Sequence, residues 1–174
     1  MADAPAPPSG VPTPGASPAG TPPPGAKPAR LLPRRAEYRY FQPITTRWSD
    51  NDAYGHVNNA IYYSWFDTTL SRFLLETGEL DIQTSPLVGL AVESLCRYHA
   101  PVSFPETVTV GLRIGRIGNS SVRFELGIFR GEEDLASAEG HFVHVYVDRA
   151  TQKVPQPLPE RFRAKLAPLL VSPG

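Results

Sequence analysis

Between Val88 and Val147 the chain repeats one pattern: a run of alternating apolar residues, a short polar link, and another alternating run. Thr107 to Ile117 puts Val108, Val110, Leu112 and Ile114 on one face, and Val122 to Phe129 does the same with Val122, Phe124, Leu126 and Ile128. A period of two is the period of a β-strand. The links Gly118-Asn119-Ser120 and Gly131-Glu132-Glu133-Asp134 are turn-forming and far too short for a crossover, so the strands they join run antiparallel. Val88 to Tyr98, ending before Pro101, and Leu135 to Val147 complete the set. Tyr38, Tyr40, Ile44, Thr46 and Trp48 recur at even positions and predict an earlier strand, broken by Pro43. Pro155, Pro157 and Pro159 forbid ladder pairing, and Glu160 to Leu170 reads as a short terminal helix.

A second period occupies the stretch between the first strand and the others. Ile61, Trp65, Phe66, Leu70, Phe73 and Leu74 fall at steps of three and four, one apolar stripe on a helix of about four turns. Gly78 stands where a left-handed cap ends a helix. So aromatic a stripe must be covered by protein. The order strand, long helix, then four strands predicts an α+β fold: one antiparallel sheet wrapped around one central helix. There is no internal repeat. A single sheet has two edges and an open face, which a homodimer or homotetramer would cover.

Composition divides the chain. Eleven of its 20 prolines lie before Arg34, in a stretch rich in Ala and Gly with no aromatic residue. Such a segment buries too little apolar surface to offset the entropy of ordering it. We expect residues 1–36 to form a disordered tail and 37–170 to form the folded domain. Formal net charge is zero, which gives no field to attract nucleic acid or an anionic membrane. Lys27, Arg30, Arg34 and Arg35 make the tail locally basic, and a solvated linker accounts for them. Cys96 is the single cysteine, so there is neither an intrachain disulfide nor a cysteine metal site. With no apolar run long enough for a membrane span and no signal-like N-terminus, the expected location is cytoplasmic.

Residues 47–66 concentrate the chemistry. Asp50 and Asp52 lie in a polar loop that leads into the apolar helix, and Gly55 permits a conformation closed to other residues. The amides of Gly55, His56 and Val57 fall at the expected helix N-terminus. There, unsatisfied N–H groups and the helix dipole favour negative charge, as an oxyanion requires. A carboxylate a few residues earlier can attack a carbonyl or activate a water. The residues alone allow a plainer reading as well: Asp50 or Asp52 caps the helix, His56 is a loop histidine, and Asn58 and Asn59 are capping groups.

The run Asp50-Asn51-Asp52-Ala53-Tyr54-Gly55-His56-Val57-Asn58-Asn59, followed by Ala60-Ile61-Tyr62 and Phe66, resembles the signature of hotdog-fold acyl-CoA thioesterases of the 4-hydroxybenzoyl-CoA thioesterase kind. The resemblance covers about residues 37–165, and the predicted element order agrees with it. It implies that Asp52 is the catalytic carboxylate, with His56 assisting. The amides following Gly55, through Val57, would polarise the thioester carbonyl, and Asn59 and Tyr54 would contact substrate. It implies an acyl-CoA or acyl-carrier thioester as substrate and no metal or redox cofactor. Plant acyl-carrier-protein thioesterases share His-Val-Asn-Asn but carry Asn where this chain has Tyr54, which counts against that subgroup. Asp50 is expected to shape the loop.

Other residues carry less. Asp67 and Arg72 follow the family's habit of an acid and a base on this helix, but a structural hydrogen bond explains them better than chemistry does. His141 and His144 are three apart on a strand, so they point to opposite faces and make a poor metal pair. His99 ends a strand and reads as structural. There is no Gly-x-Ser-x-Gly elbow around Ser120 and Ser121, and no helix follows Gly111, Gly115 and Gly118 to make a phosphate loop. Arg113, Arg116 and Arg123 read as a solvated sheet face. The rival function is a non-catalytic module that holds an acyl thioester or fatty acid; Asp52 and His56 argue against it, because binding alone needs no carboxylate at the carbonyl.

Overall fold

The computed structural model describes residues 31–78 and 83–171. Five strands, β1 (Tyr40–Thr45), β2 (Leu87–Tyr98), β3 (Thr107–Ile117), β4 (Ser121–Arg130) and β5 (Ala138–Asp148), form one sheet in the order β1-β3-β4-β5-β2. Every neighbouring pair is antiparallel. The helix α1 (Asn59–Glu76) joins β1 to β2, which are the two opposite edges. Five strands span roughly 19 Å and an 18-residue helix roughly 27 Å, so one helix suffices to cross the sheet's whole width.

The alternation dictates the core. Val108, Val110, Leu112, Ile114, Val122, Phe124, Leu126 and Ile128 all face the helix and are buried. From α1 come Tyr62, Trp65, Phe66, Thr69, Leu70, Phe73 and Leu74. The buried stripe includes Tyr62 and Thr69, beyond the sequence expectation, while Ile61 stays partly exposed. Gly78 ends the helical turn with φ +72°, as the sequence predicted. Phe66 sits directly over Gly140 of β5: a Cβ there would lie 2.6 Å from the Phe66 ring and 2.3 Å from the Leu95 carbonyl oxygen. The helix approaches the sheet closely because this position has no side chain.

Several boundaries differ from the sequence reading. β1 covers only Tyr40–Thr45, and Trp48, expected on that strand, opens a separate 3₁₀ turn at Trp48–Asp50. Pro43 does not break β1; it pairs opposite Thr109, tolerated because β1 is an edge. β5 begins at Ala138, because Leu135 and Ala136 bond instead to the N-terminal segment at Arg34 and Pro33. The chain around Pro155 does touch the sheet: Gln156 N–H donates to the Tyr146 carbonyl, and Asp148 N–H to that of Val154. The terminal helix α2 (Glu160–Leu166) is followed by a tighter turn at Ala167–Leu169.

Residues 1–30 of the expected tail lie outside the described residues. Residues 33–36, assigned to that tail, are instead packed on the outer face of the sheet. Arg34 pairs with Asp134, and Arg35 donates to the carbonyls of Gly131 and Glu133 while its guanidinium lies over Phe129. Tyr38 is buried beside Phe129 and Ala136 in a small second core. Further along the same face a row of charges crosses the strands. Glu37 pairs with Arg113, Arg113 with Glu125, Glu125 with Arg123, and Arg123 with Glu93. Arg113 and Arg123, expected to be merely solvated, are therefore interlocked.

A methyl group at position 140 would meet backbone as well as Phe66, so it cannot be absorbed by rotating one side chain. Gly140→Ala should destabilise the domain by about 2 kcal/mol. In a thermal melt that is a drop of roughly 4–8 °C; an unchanged midpoint would show that the helix does not rest on this glycine.

Candidate active site

The loop between β1 and α1 is closed before the helix begins. Asn51 and Val57 form an antiparallel bridge, Asp52 N–H donates to the His56 carbonyl at 2.8 Å, and Gly55 N–H donates to the Asp52 carbonyl at 3.1 Å. Gly55 takes φ +80°, the left-handed conformation the turn needs. Asn51 holds the loop from both sides: its amide N–H donates to the Gly55 carbonyl, and its side-chain oxygen accepts from Phe104 N–H. Asn58 is the helix cap, its Oδ1 accepting from Ala60 N–H at 2.9 Å.

Asp50 is the loop's buried post. Its carboxylate accepts from Arg47 N–H at 2.8 Å and from Arg47 Nε at 3.3 Å, while its carbonyl accepts from Asn58 N–H. At 1% exposure it cannot meet a substrate, which agrees with a loop-shaping role. Asp52 is half-buried. One carboxylate oxygen accepts from Tyr54 N–H at 2.8 Å, and the other meets no donor among the described residues. Tyr54 itself projects into solvent.

The expected oxyanion donors need correction. Gly55 N–H is taken by Asp52, and Val57 N–H by the Val102 carbonyl at 2.8 Å. The helix starts at Asn59 rather than at 55–57, because the 51–57 loop closes on itself first. Of the amides from Gly55 to Asn59, those of His56 and Asn59 meet no acceptor among the described residues. The latter opens α1, where backbone N–H groups have no intrahelical partner.

His56, Val57 and Asn59 line an open concavity of 330 Å³ together with Tyr62, Tyr98, His99, Ala100 and Pro101. Asp52, Tyr54 and Gly55 are not on its lining. The end of β2 thus supplies a wall that the sequence reading missed. Tyr98 O–H donates to the Asn59 carbonyl at 3.1 Å and pins the first helical turn to the strand. Burial pushes the Tyr98 and Tyr62 phenols above their usual range, so both stay protonated donors. His99, expected to be structural, faces both ways: it lies 3.6 Å from Glu139 and borders the concavity.

The remaining candidates separate. Arg72 pairs with Glu76 at 3.1 Å and not with Asp67. Asp67 lines a different cavity, beside His144. His141 points to the outer face, between Arg123 and Glu93, and His144 to the inner one, as the strand period predicted. No helix among the described residues is long and apolar enough to cross a membrane.

A five-stranded antiparallel sheet on one long helix, with an acid-bearing loop at the helix start, defines a hotdog-fold protein. The chain belongs to the thioesterase-like superfamily, whose sequence profile matches residues 46–166. It is similar to the PA5185 protein from Pseudomonas aeruginosa, with 49% identity, a TM-score of 0.78, and coverage of 83% of this chain and 100% of that one. A predicted thioesterase from Bacillus stearothermophilus is 29% identical, with a TM-score of 0.66 over 78% of this chain and 98% of its own. The gentisyl-coenzyme A thioesterase BH1999 shares the fold at 24% identity and a TM-score of 0.62, covering 73% of this chain and 99% of that one. No curated protein sequence matches.

Asp50 holds the loop by two hydrogen bonds from one arginine. Asp50→Asn keeps one acceptor and loses the charge. It should cost about 1 kcal/mol of stability, read from unfolding curves, with turnover of the folded protein nearly intact.

Proposed function

We infer that the protein hydrolyses an acyl-CoA or acyl-carrier thioester to a carboxylic acid and a free thiol. One observation carries this reading: an incompletely paired carboxylate, Asp52, stands on the loop whose His56 amide, with that of Asn59 at the helix start, lacks an acceptor. Those amides would donate to the thioester oxygen as it gains charge, with the positive end of the α1 dipole behind them. Asp52 either attacks the carbonyl carbon, giving a mixed anhydride that water then cleaves, or takes a proton from the attacking water. In both routes the thiolate leaves and is protonated, and one water is consumed. His56 and Asn59 line the concavity where substrate would lie. The family to which the chain belongs, and the neighbours named as thioesterases, support the reaction class.

The proposal includes a homodimer. β1 is a short edge containing Pro43, whereas β2 is open over 12 residues, with Val92 exposed at its single bulge and Leu90 half-exposed beside it. A second copy pairing antiparallel along β2 would set the Tyr98 end of one strand beside the Leu87 end of the other. The concavity at Asn59 would then be closed by the partner. A tetramer would be two such pairs. No resident metal or redox group is called for in this chemistry.

Three outcomes test the reading, with thiol release from a panel of short, medium, long and aromatic acyl-CoA esters as the assay. Asp52→Asn should lower kcat by at least about a hundredfold with little change in KM. Asn59→Pro removes the helix-opening N–H at the one helical position where proline fits, and Asn58 already has the extended φ −58°, ψ 136° that a following proline demands. It should keep its melting temperature and lose about a hundredfold in kcat. Light scattering at micromolar concentration should give twice or four times the chain mass. A folded Asp52→Asn protein of wild-type activity defeats the mechanism; an active monomer defeats the assembly.

A further inference from the structure

A cavity of 210 Å³ lies between the second half of α1, the start of β2, β5 and α2, away from Asp52 and Asn59. Its walls are largely apolar, from Leu70, Leu74, Leu87 and Phe162. An apolar cavity of about 150 Å³ is enough for benzene, so this one holds an aromatic ring with a small substituent, or an aliphatic chain of similar bulk. At its inner surface are two polar groups that the rest of the molecule does not use. The Tyr146 hydroxyl is buried and has no hydrogen-bond partner. His144 stacks on Phe142 and meets Phe124 edge-on, and makes no hydrogen bond among the described residues. A buried phenol usually finds a partner, and leaving it without one is unfavourable, so the unpartnered Tyr146 hydroxyl points to a ligand atom that accepts from it.

We propose that this cavity receives the far end of the acyl group and selects a compact, uncharged acyl group bearing an oxygen that accepts a hydrogen bond from Tyr146. The proposal rests on the thioesterase reading and names the substrate class for it. Burial keeps the Tyr146 hydroxyl protonated, hence a donor. Burial also holds His144 below its usual range despite nearby Asp67, so the inner end carries a neutral imidazole rather than a cation for a carboxylate. Asp67 and Arg161 stand at the exposed rim with opposite charges, and Ser85 is engaged with the Leu87 carbonyl. Gly89 makes the room: a Cβ there would lie 3.2 Å from His144 Nδ1 and 3.2 Å from the Tyr146 ring. Along α1, Asp67 is roughly 12 Å beyond Asn59. In the antiparallel dimer, this end of one copy adjoins the Asn59 end of the other, so an acyl group held by one chain would present its carbonyl to the other.

The test uses two near-isosteric acid pairs that separate the aromatic from the aliphatic source of the same chemistry: 4-methoxybenzoate against 4-ethylbenzoate, and 5-oxohexanoate against hexanoate. Calorimetric titration of the full-length protein should show about tenfold tighter binding of the oxygen-bearing member of at least one pair. Tyr146→Phe should abolish that preference without lowering the melting temperature, and Gly89→Ala should weaken both members of the pair. The coenzyme A esters should show the same preference in kcat/KM, again dependent on Tyr146. Equal binding within both pairs, or a preference that survives Tyr146→Phe, overturns the proposal. A Tyr146-dependent preference among the acids without hydrolysis of their esters leaves the pocket standing and defeats the hydrolase reading. Hydrolysis with no Tyr146-dependent preference does the reverse.

Discussion

Everything in the domain is arranged around the seating of α1 on the sheet. The helix buries an aromatic stripe, and the sheet meets it with branched and aromatic residues on every second position. Contact of this kind is stable only if it is close, and at its centre the closeness comes from a missing side chain, Gly140 beneath Phe66. Once the helix is seated, its N-terminus is fixed over the end of β2 and its second half over the start of β2. Those two places are where the concavity at Asn59 and the cavity at Tyr146 lie.

The sequence made the layer plan legible because its determinants are local. Alternation between Thr107 and Phe129 is a property of neighbours, and so is the turn chemistry at Gly118 and Gly131. The stripe from Trp65 to Leu74 and the stop at Gly78 follow from helical spacing alone. The residues alone left Asp50 and Asp52 as equal candidates for a structural role; the family resemblance made Asp50 the loop-shaping one, and its buried carboxylate does hold the loop at Arg47. What escaped the reading depended on contacts distant in sequence. Nothing near Val57 announces that its amide bonds to Val102, yet that bond removes it from the candidate donors. Nor does the sequence near Tyr98 reveal that it holds Asn59. Pro33 to Ala36 look like the rest of a proline-rich tail until the β4–β5 turn is seen beneath them.

The outer face of the sheet shows a different economy of residues. Exposed ion pairs contribute little one at a time. Here they share partners in one row, from Glu37 through Arg113 on β3 and Glu125 and Arg123 on β4 to Glu93 on the edge strand β2. Shared partners restrict each other's rotamers, so the row fixes long side chains that would otherwise be free. It also places charge on the face away from the helix, where a bare apolar surface would invite non-specific association.

The connection from one edge of the sheet to the other has a consequence for the order of assembly. β3 and β4 are joined by a three-residue turn and can find each other almost at once. β1 must meet β3 across roughly seventy residues, and β2 must meet β5 across roughly sixty at its outer end. The central strands therefore form a unit held by short loops, and both edges are held by long ones. The acid-bearing loop follows one edge, and the wall carrying Tyr98 ends the other. The reacting groups are thus brought together by the closures with the greatest entropic cost, so this corner is the natural place for the fold to open locally while its centre stays shut.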